Sequence, residues 1–150
     1  MIALGCDHGG INIKNAIIKD FEQRGIPYRD FGCYTSESVD YPIYAYKVAK
    51  AVATDNEMEL GIICCGTGIG VSMVANKVEG IRAAAVSEAF SAEMTRRHNN
   101  ANILCLGGRV VSEEKAVELA KLFITTPYEG GRHERRVQMI TEIENGTFEG

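Results

Sequence analysis

Five short runs of apolar and β-branched residues recur along the chain, and each is followed by a stretch in which apolar residues return every three to four positions. The runs are IALGC at 2–6, IPYRDFG at 26–32, LGIICC at 60–65, IRAAAV at 81–86 and NILCLGG at 102–108. Their lengths and residue types predict strands. The intervening periods predict helices. Ile13, Ala16, Ile17 and Phe21 make one stripe, which Gly25 would stop. Pro42 suits a first helical turn and leads Tyr44, Val48, Ala51 and Val52 onto one face. SEAFSAEMTRRH at 87–98 predicts another helix. Ser112 is a good N-cap for one carrying Ala116, Leu119, Ala120, Phe123 and Ile124, and a tail helix follows Gly131. Parallel strands need a crossover, and crossover helices bury the sheet. The alternation therefore predicts α/β architecture: a doubly wound, Rossmann-like three-layer sandwich with a five-stranded parallel sheet and a C-terminal tail helix.

No internal repeat, low-complexity segment or linker interrupts the pattern, so residues 1–150 are expected to form one domain. At 45% apolar, 150 residues can bury a sizeable core. The apolar runs fall well short of the ~20 residues that span a bilayer. The opening MIALGCDHGG has neither the basic flank nor the extended apolar region of a secretion signal, so a cytoplasmic protein is expected. The five cysteines are odd in number and mostly end apolar runs, with no C-x-x-C pair. That usage suits a reducing compartment and offers no metal framework. A net charge of -4 argues against nucleic-acid binding. Locally, GGRHERRV at 130–137 gathers Arg132, Arg135 and Arg136 around His133, a basic spot suited to a small anion.

In open α/β sheets ligands sit outside the carboxyl ends of the strands. Asp7-His8-Gly9-Gly10 follows the first strand, Cys65 and the loop Gly66-Thr67-Gly68-Ile69-Gly70 the third, and Gly107-Gly108-Arg109 the fifth. One rim would thus carry a carboxylate, an imidazole, a thiol, a guanidinium and a glycine loop that can open a helix at GVSMVANK. Exposed N–H groups of such a loop can hold an oxyanion or phosphate and favour a thiolate at Cys65. A tight strand-to-helix turn beside a buried cysteine explains the same residues. Familiar motifs do not fit. The glycine spacing is not the dinucleotide fingerprint, Val71 stands where a P-loop needs lysine, and Val71 also stands where a cysteine phosphatase needs arginine. His8 is either functional or the cap of a turn. His98, with Asn99 and Asn100, reads on its own as an ordinary helix terminus. Arg132 and Arg136, one turn apart, either converge on an anion or are solvated surface.

Taken in order, GCDHGG, DYP at 40–42, CCGTGIGVSMVANK, RRHNNANILCLGGR and GGRHERRV resemble the type B ribose-5-phosphate isomerase family, which also includes galactose 6-phosphate and allose 6-phosphate isomerases. The likeness covers nearly the whole chain. It implies aldose–ketose interconversion of ribose 5-phosphate and ribulose 5-phosphate, a step of the pentose phosphate pathway, with no cofactor and no metal. The resemblance assigns Cys65 as the base, and the amides of Gly66, Gly68, Ile69 and Gly70 as stabilisers of an enediolate. Thr67 would assist proton transfer and His98 would open the furanose ring. Asp7 would bind the sugar, Asn99 its oxygens, and His8, Arg109, Arg132 and Arg136 the phosphate. Alternatives are a six-carbon sugar-phosphate isomerase and a noncatalytic sugar-phosphate-binding module. Topology adds a further expectation. His98 ends a helix that runs back toward the edge of the sheet opposite Cys65, so His98 and Asn99 should enter the site from the partner in a homodimer or a higher assembly.

Overall fold

The computed structural model describes residues 1–150. Its middle layer is a five-stranded sheet, parallel throughout, built from β1 (Ile2–Cys6), β2 (Tyr28–Asp30), β3 (Leu60–Cys65), β4 (Ala83–Ala85) and β5 (Ile103–Gly107). The order across the sheet is β2-β1-β3-β5-β4. The three central strands are buried along nearly their whole length, which is why they read as unbroken apolar runs. The outer two are shorter than the sequence runs. Backbone hydrogen bonds to β1 extend from Pro27 to Cys33, but Gly32 at φ 94 ends regular strand geometry after Asp30.

Six helices complete the fold: α1 (Ile11–Arg24), α2 (Tyr41–Thr54), α3 (Ile69–Ala75), α4 (Ala89–Asn99), α5 (Glu113–Thr125) and α6 (Arg132–Asn145). The expected stops and caps are present. Gly25 is left-handed at the end of α1, and the Ser112 side chain accepts from the N–H of Lys115. On one face of the sheet Ile13, Ile17 and Phe21 of α1 pack with Ala116, Leu119, Ala120 and Phe123 of α5 and Ala92 of α4. On the other, Ala45, Val48 and Ala49 of α2 pack with Val71 and Ala75 of α3. The buried face of α2 is therefore turned from the expected one: Ala45 and Ala49 lie innermost, and Tyr44, Ala51 and Val52 flank them. Gly5 and Gly61 accommodate this approach, since a Cβ at either would meet Val48.

One charge enters the core. Lys14 has 1% of its side chain exposed, and its ammonium reaches both Asp30 oxygens at 2.8 Å and the Cys33 carbonyl at 2.6 Å. This clamps α1 to the chain leaving β2.

Candidate active site

The sheet register aligns the strand ends. Cys6 pairs with Cys64 and Cys65 with Gly107, so the segments after β1, β3 and β5 leave the sheet at one level. There they touch. The N–H of Gly108 donates to the Cys65 carbonyl at 2.7 Å and that of Arg109 to the Gly66 carbonyl at 3.0 Å. A Cβ on Gly9 would stand 2.9 Å from the Gly66 nitrogen. This rim assembles Asp7, His8, Cys65, the loop through Gly70, and Arg109. It lies where β1 and β3 are neighbours and the winding of the chain reverses, the crevice in which open α/β sheets bind ligands.

Cys65 is buried, and the N–H of Gly68 donates to its Sγ at 3.0 Å. That contact requires glycine. Gly68 sits at φ +80, and a Cβ there would lie 3.0 Å from the Leu106 carbonyl carbon. Gly107 supports the loop from below, where a Cβ would come within 2.6 Å of the Thr67 carbonyl carbon. Thr67 Oγ1 accepts from the N–H of Ile69 at 3.2 Å, while the N–H groups of Gly66 and Thr67 have no partner within the chain. Unspent donors thus border the sulfur. Burial pushes the neighbouring thiols of Cys64 and Cys105 well above the ordinary range, and Cys6 up to about 12.

Of the two acidic and imidazole groups after β1, Asp7 takes the turn-capping role, its Oδ1 accepting from the N–H of Gly9 at 2.8 Å. His8 does not cap that turn. Its Nδ1 accepts from the N–H of Val39 at 3.1 Å, so the neutral ring carries its proton on Nε2 and presents a donor there. Arg109 is exposed, and its guanidinium lies 3.3 Å from where a Gly66 Cβ would be.

A second group of residues stands apart. His98 and Asn99 close α4, and the chain then enters β5 at Ile103, the end opposite Gly107. Four strand steps at ~3.3 Å separate those ends by roughly 13 Å. Here the His98 ring stacks on His133 of α6, with centroids 4.2 Å apart and planes at 14°. Arg132 and Arg136 flank His133 in sequence, on the first turns of α6. Neither they nor Arg109 form an ion pair with a carboxylate of the chain. Glu129 Oε2 lies 3.4 Å from His133 Nε2. Burial, the His98 ring and the charge of Arg132 hold the His133 pKa below its ordinary value. His98, Glu129 and His133 offer three donor atoms within 4.8 Å of one another. Near-parallel rings, however, send their lone pairs side by side rather than to one point, which is the geometry of a stack and not of a tetrahedral centre.

The sequence-predicted residues therefore fall into two sets, one at each end of the sheet. Sequence reasoning missed the Val39 amide that orients His8 and the stacking role of His133. No local pattern encodes either, because both contacts join segments more than thirty positions apart.

A family described as Ribose/Galactose Isomerase matches residues 2–140. The chain is 48% identical to ribose-5-phosphate isomerase B of Escherichia coli, over 95% of each sequence. Its structure is similar to ribose-5-phosphate isomerase B of Clostridium thermocellum, with TM-score 0.94, 47% identity and 97% of each chain covered. It is also similar to the Mycoplasma genitalium ribose-5-phosphate isomerase B solved with bound ribulose-5-phosphate, with TM-score 0.91 and 38% identity over 96% of this chain and 95% of that one. With matches of this extent, the chain belongs to the ribose/galactose isomerase family.

Proposed function

We propose that the chain, acting as one domain over residues 1–150, interconverts ribose 5-phosphate and ribulose 5-phosphate. The observation that carries this reading is Cys65 at the switch-point rim, with the Gly68 N–H on its Sγ and free loop amides beside it. The relatives' names supply the substrate. A proton alpha to a carbonyl is only weakly acidic, so abstraction needs a base and stabilisation of the developing oxyanion together. Cys65, as thiolate, takes the C2 proton of the open-chain aldose. The C–H electron pair forms the C1–C2 double bond, and the carbonyl pair moves onto O1, facing the loop amides. Thr67 helps carry the O2 proton to O1, and Cys65 returns its proton to C1. Before this, His98 protonates the furanose ring oxygen as the C1–O4 bond breaks, and the anomeric hydroxyl gives up its proton to water as the C1 carbonyl forms. Asp7 and Asn99 bind the sugar oxygens. The Nε2 donor of His8 and the unpaired Arg109, Arg132 and Arg136 hold the phosphate, whose remote binding energy orients the reacting carbons.

The active form in this proposal is a homodimer with shared sites in the cytoplasm. His98, Asn99, Arg132 and Arg136 reach the partner's Cys65 rim. Exposed apolar residues border both halves. Ile69 and Met73 project from α3 beside the cysteine loop, with Met73 63% exposed. Ile140 and Ile143 line a cavity of about 470 Å³ that also includes Asn99. A two-fold axis would pair one patch with the other. No helix is long and apolar enough to cross a membrane, and all five cysteines are free thiols, as a reducing compartment requires.

The test is incubation with ribose 5-phosphate in the presence of a chelator. Ribulose 5-phosphate should form, faster than the product of a six-carbon aldose 6-phosphate. Cys65→Ala should lower the rate by roughly 100- to 10,000-fold, the usual worth of a general base. Binding of ribose 5-phosphate without turnover would refute the proposal.

A further inference from the structure

We infer that His133 is a positioning residue for ring opening, holding the His98 imidazole by face-to-face contact so that His98 meets the sugar's ring oxygen in one orientation. The inference rests on the isomerase reading above and assigns a role to a side chain that this reading leaves idle.

His98 is poorly restrained by its own helix. It is the penultimate residue of α4, which Asn100 caps at φ 47, and no hydrogen bond within the chain fixes its ring. The restraint comes from α6. His133 sits in the first turn there, 7% exposed, with its N–H donating to the Gly130 carbonyl at 3.0 Å. Its ring covers one face of His98 at 4.2 Å and 14°. His98 itself stays only partly buried, with a ring nitrogen within 4.8 Å of the Glu129 carboxylate. Glu129 Oε2 lies 3.4 Å from Nε2 without hydrogen-bonding to it, and Glu129 is itself tied to α4 by its N–H on the Arg97 carbonyl and by its carboxylate 3.9 Å from Arg97.

The chemistry of the neighbourhood favours support over catalysis by His133. Its Nε2 is buried without a hydrogen-bond partner, so it has no access to a substrate proton. Burial, with His98, Arg132 and Arg136 around it and only Glu129 opposing, disfavours the charged form of the ring. A neutral π face against His98 tolerates the imidazolium that forms there when His98 exchanges protons with the sugar, whereas a second cation would repel it.

Ribulose 5-phosphate provides the test, because its 5-hydroxyl is esterified and it has no furanose to open. Conversion of ribose 5-phosphate needs both ring opening and proton transfer. Exchange of the C1 hydrogen of ribulose 5-phosphate with deuterated solvent needs proton transfer alone. His133→Ala should lower kcat/KM for ribose 5-phosphate on the order of 10- to 100-fold, the range expected when a reacting group is misplaced by about an ångström. The exchange rate and the KM for ribulose 5-phosphate should remain within about twofold. His133→Phe, which keeps a stacking face, should restore most of the lost rate, and His133→Leu, which fills the volume without one, should not. If the alanine chain fails to fold, the phenylalanine and leucine pair decides the matter alone. Equal losses in conversion and exchange, a raised KM for ribulose 5-phosphate, or a phenylalanine variant no better than leucine would overturn the inference. Absence of ribose 5-phosphate conversion in the unaltered protein would instead overturn the isomerase reading.

Discussion

Lys14 and Asp30 show what a single residue pair can decide. A buried ammonium is tolerable only with its acceptors in place, and Lys14 has three: two carboxylate oxygens and the Cys33 carbonyl. Asp30→Ala should therefore cost about 3–5 kcal/mol in denaturant unfolding, and adding Lys14→Met should recover much of that loss by removing the stranded charge. His133 makes a second residue-scale prediction. At pH above its ordinary value of 6.5 the ring is neutral in both folded and unfolded chains and contributes no pH dependence. Below that value the unfolded chain takes up a proton that the folded chain resists, so stability falls with acid. His133→Phe should flatten this part of the urea-unfolding profile. Gly68 makes the third. With φ at +80 and Leu106 beneath it, Gly68→Ala must shift the loop amide off Sγ, and turnover should drop by roughly 100- to 1000-fold, as for loss of an oxyanion donor. The glycine loop at Cys65 shows in the local sequence, but the environments of Lys14 and His133 do not. Lys14 stands within an otherwise ordinary helical stripe, and its burial depends on a carboxylate sixteen positions away.

At the scale of elements, legibility tracked how local the determinant is. The cap at Ser112, the stop at Gly25 and the apolar stripe of α5 are set by neighbours within a turn, and all were visible. The central strands were visible because burial on both faces leaves a continuous apolar run. Edge strands pair on one side only, so β2 and β4 retain regular geometry over three residues each, although their backbone bonds reach further. The face of α2 was misjudged because its period allows two neighbouring stripes, and the close approach permitted by Gly5 and Gly61 selects the one rich in alanine. The cap supplies a clean element-scale prediction. Ser112→Ala removes the acceptor for the N–H of Lys115 and should cost about 0.5–2 kcal/mol in unfolding. Because it acts on the start of α5 and not on the cysteine loop, solvent exchange at the substrate carbon should continue at its original rate.

For the whole molecule, the decisive fact is that the candidate residues lie at both ends of one sheet. The rim with Cys65 was legible because topology places the carboxyl ends of β1, β3 and β5 together, and the separation of His98 followed from α4 running antiparallel to β5. The distribution of the arginines was not legible: only the fold shows that Arg109 stands with Cys65 while Arg132 and Arg136 stand with His98. If catalysis needs both sets, a two-fold dimer forms each site from one end of each subunit. Two inactive chains should then complement one another. In a mixed dimer of Cys65→Ala with His98→Ala, one site carries both lesions and the other carries neither. Random mixing makes about half of all dimers mixed, so about a quarter of the original activity should return when the two variants are dissociated and reassociated together. If each subunit worked alone, every site in the mixture would keep one lesion and recovery would be nil. Activity measured against the fraction of mixed dimers, separated by a charge tag on one chain, distinguishes these outcomes: a straight line through zero supports shared sites, and a flat baseline excludes them.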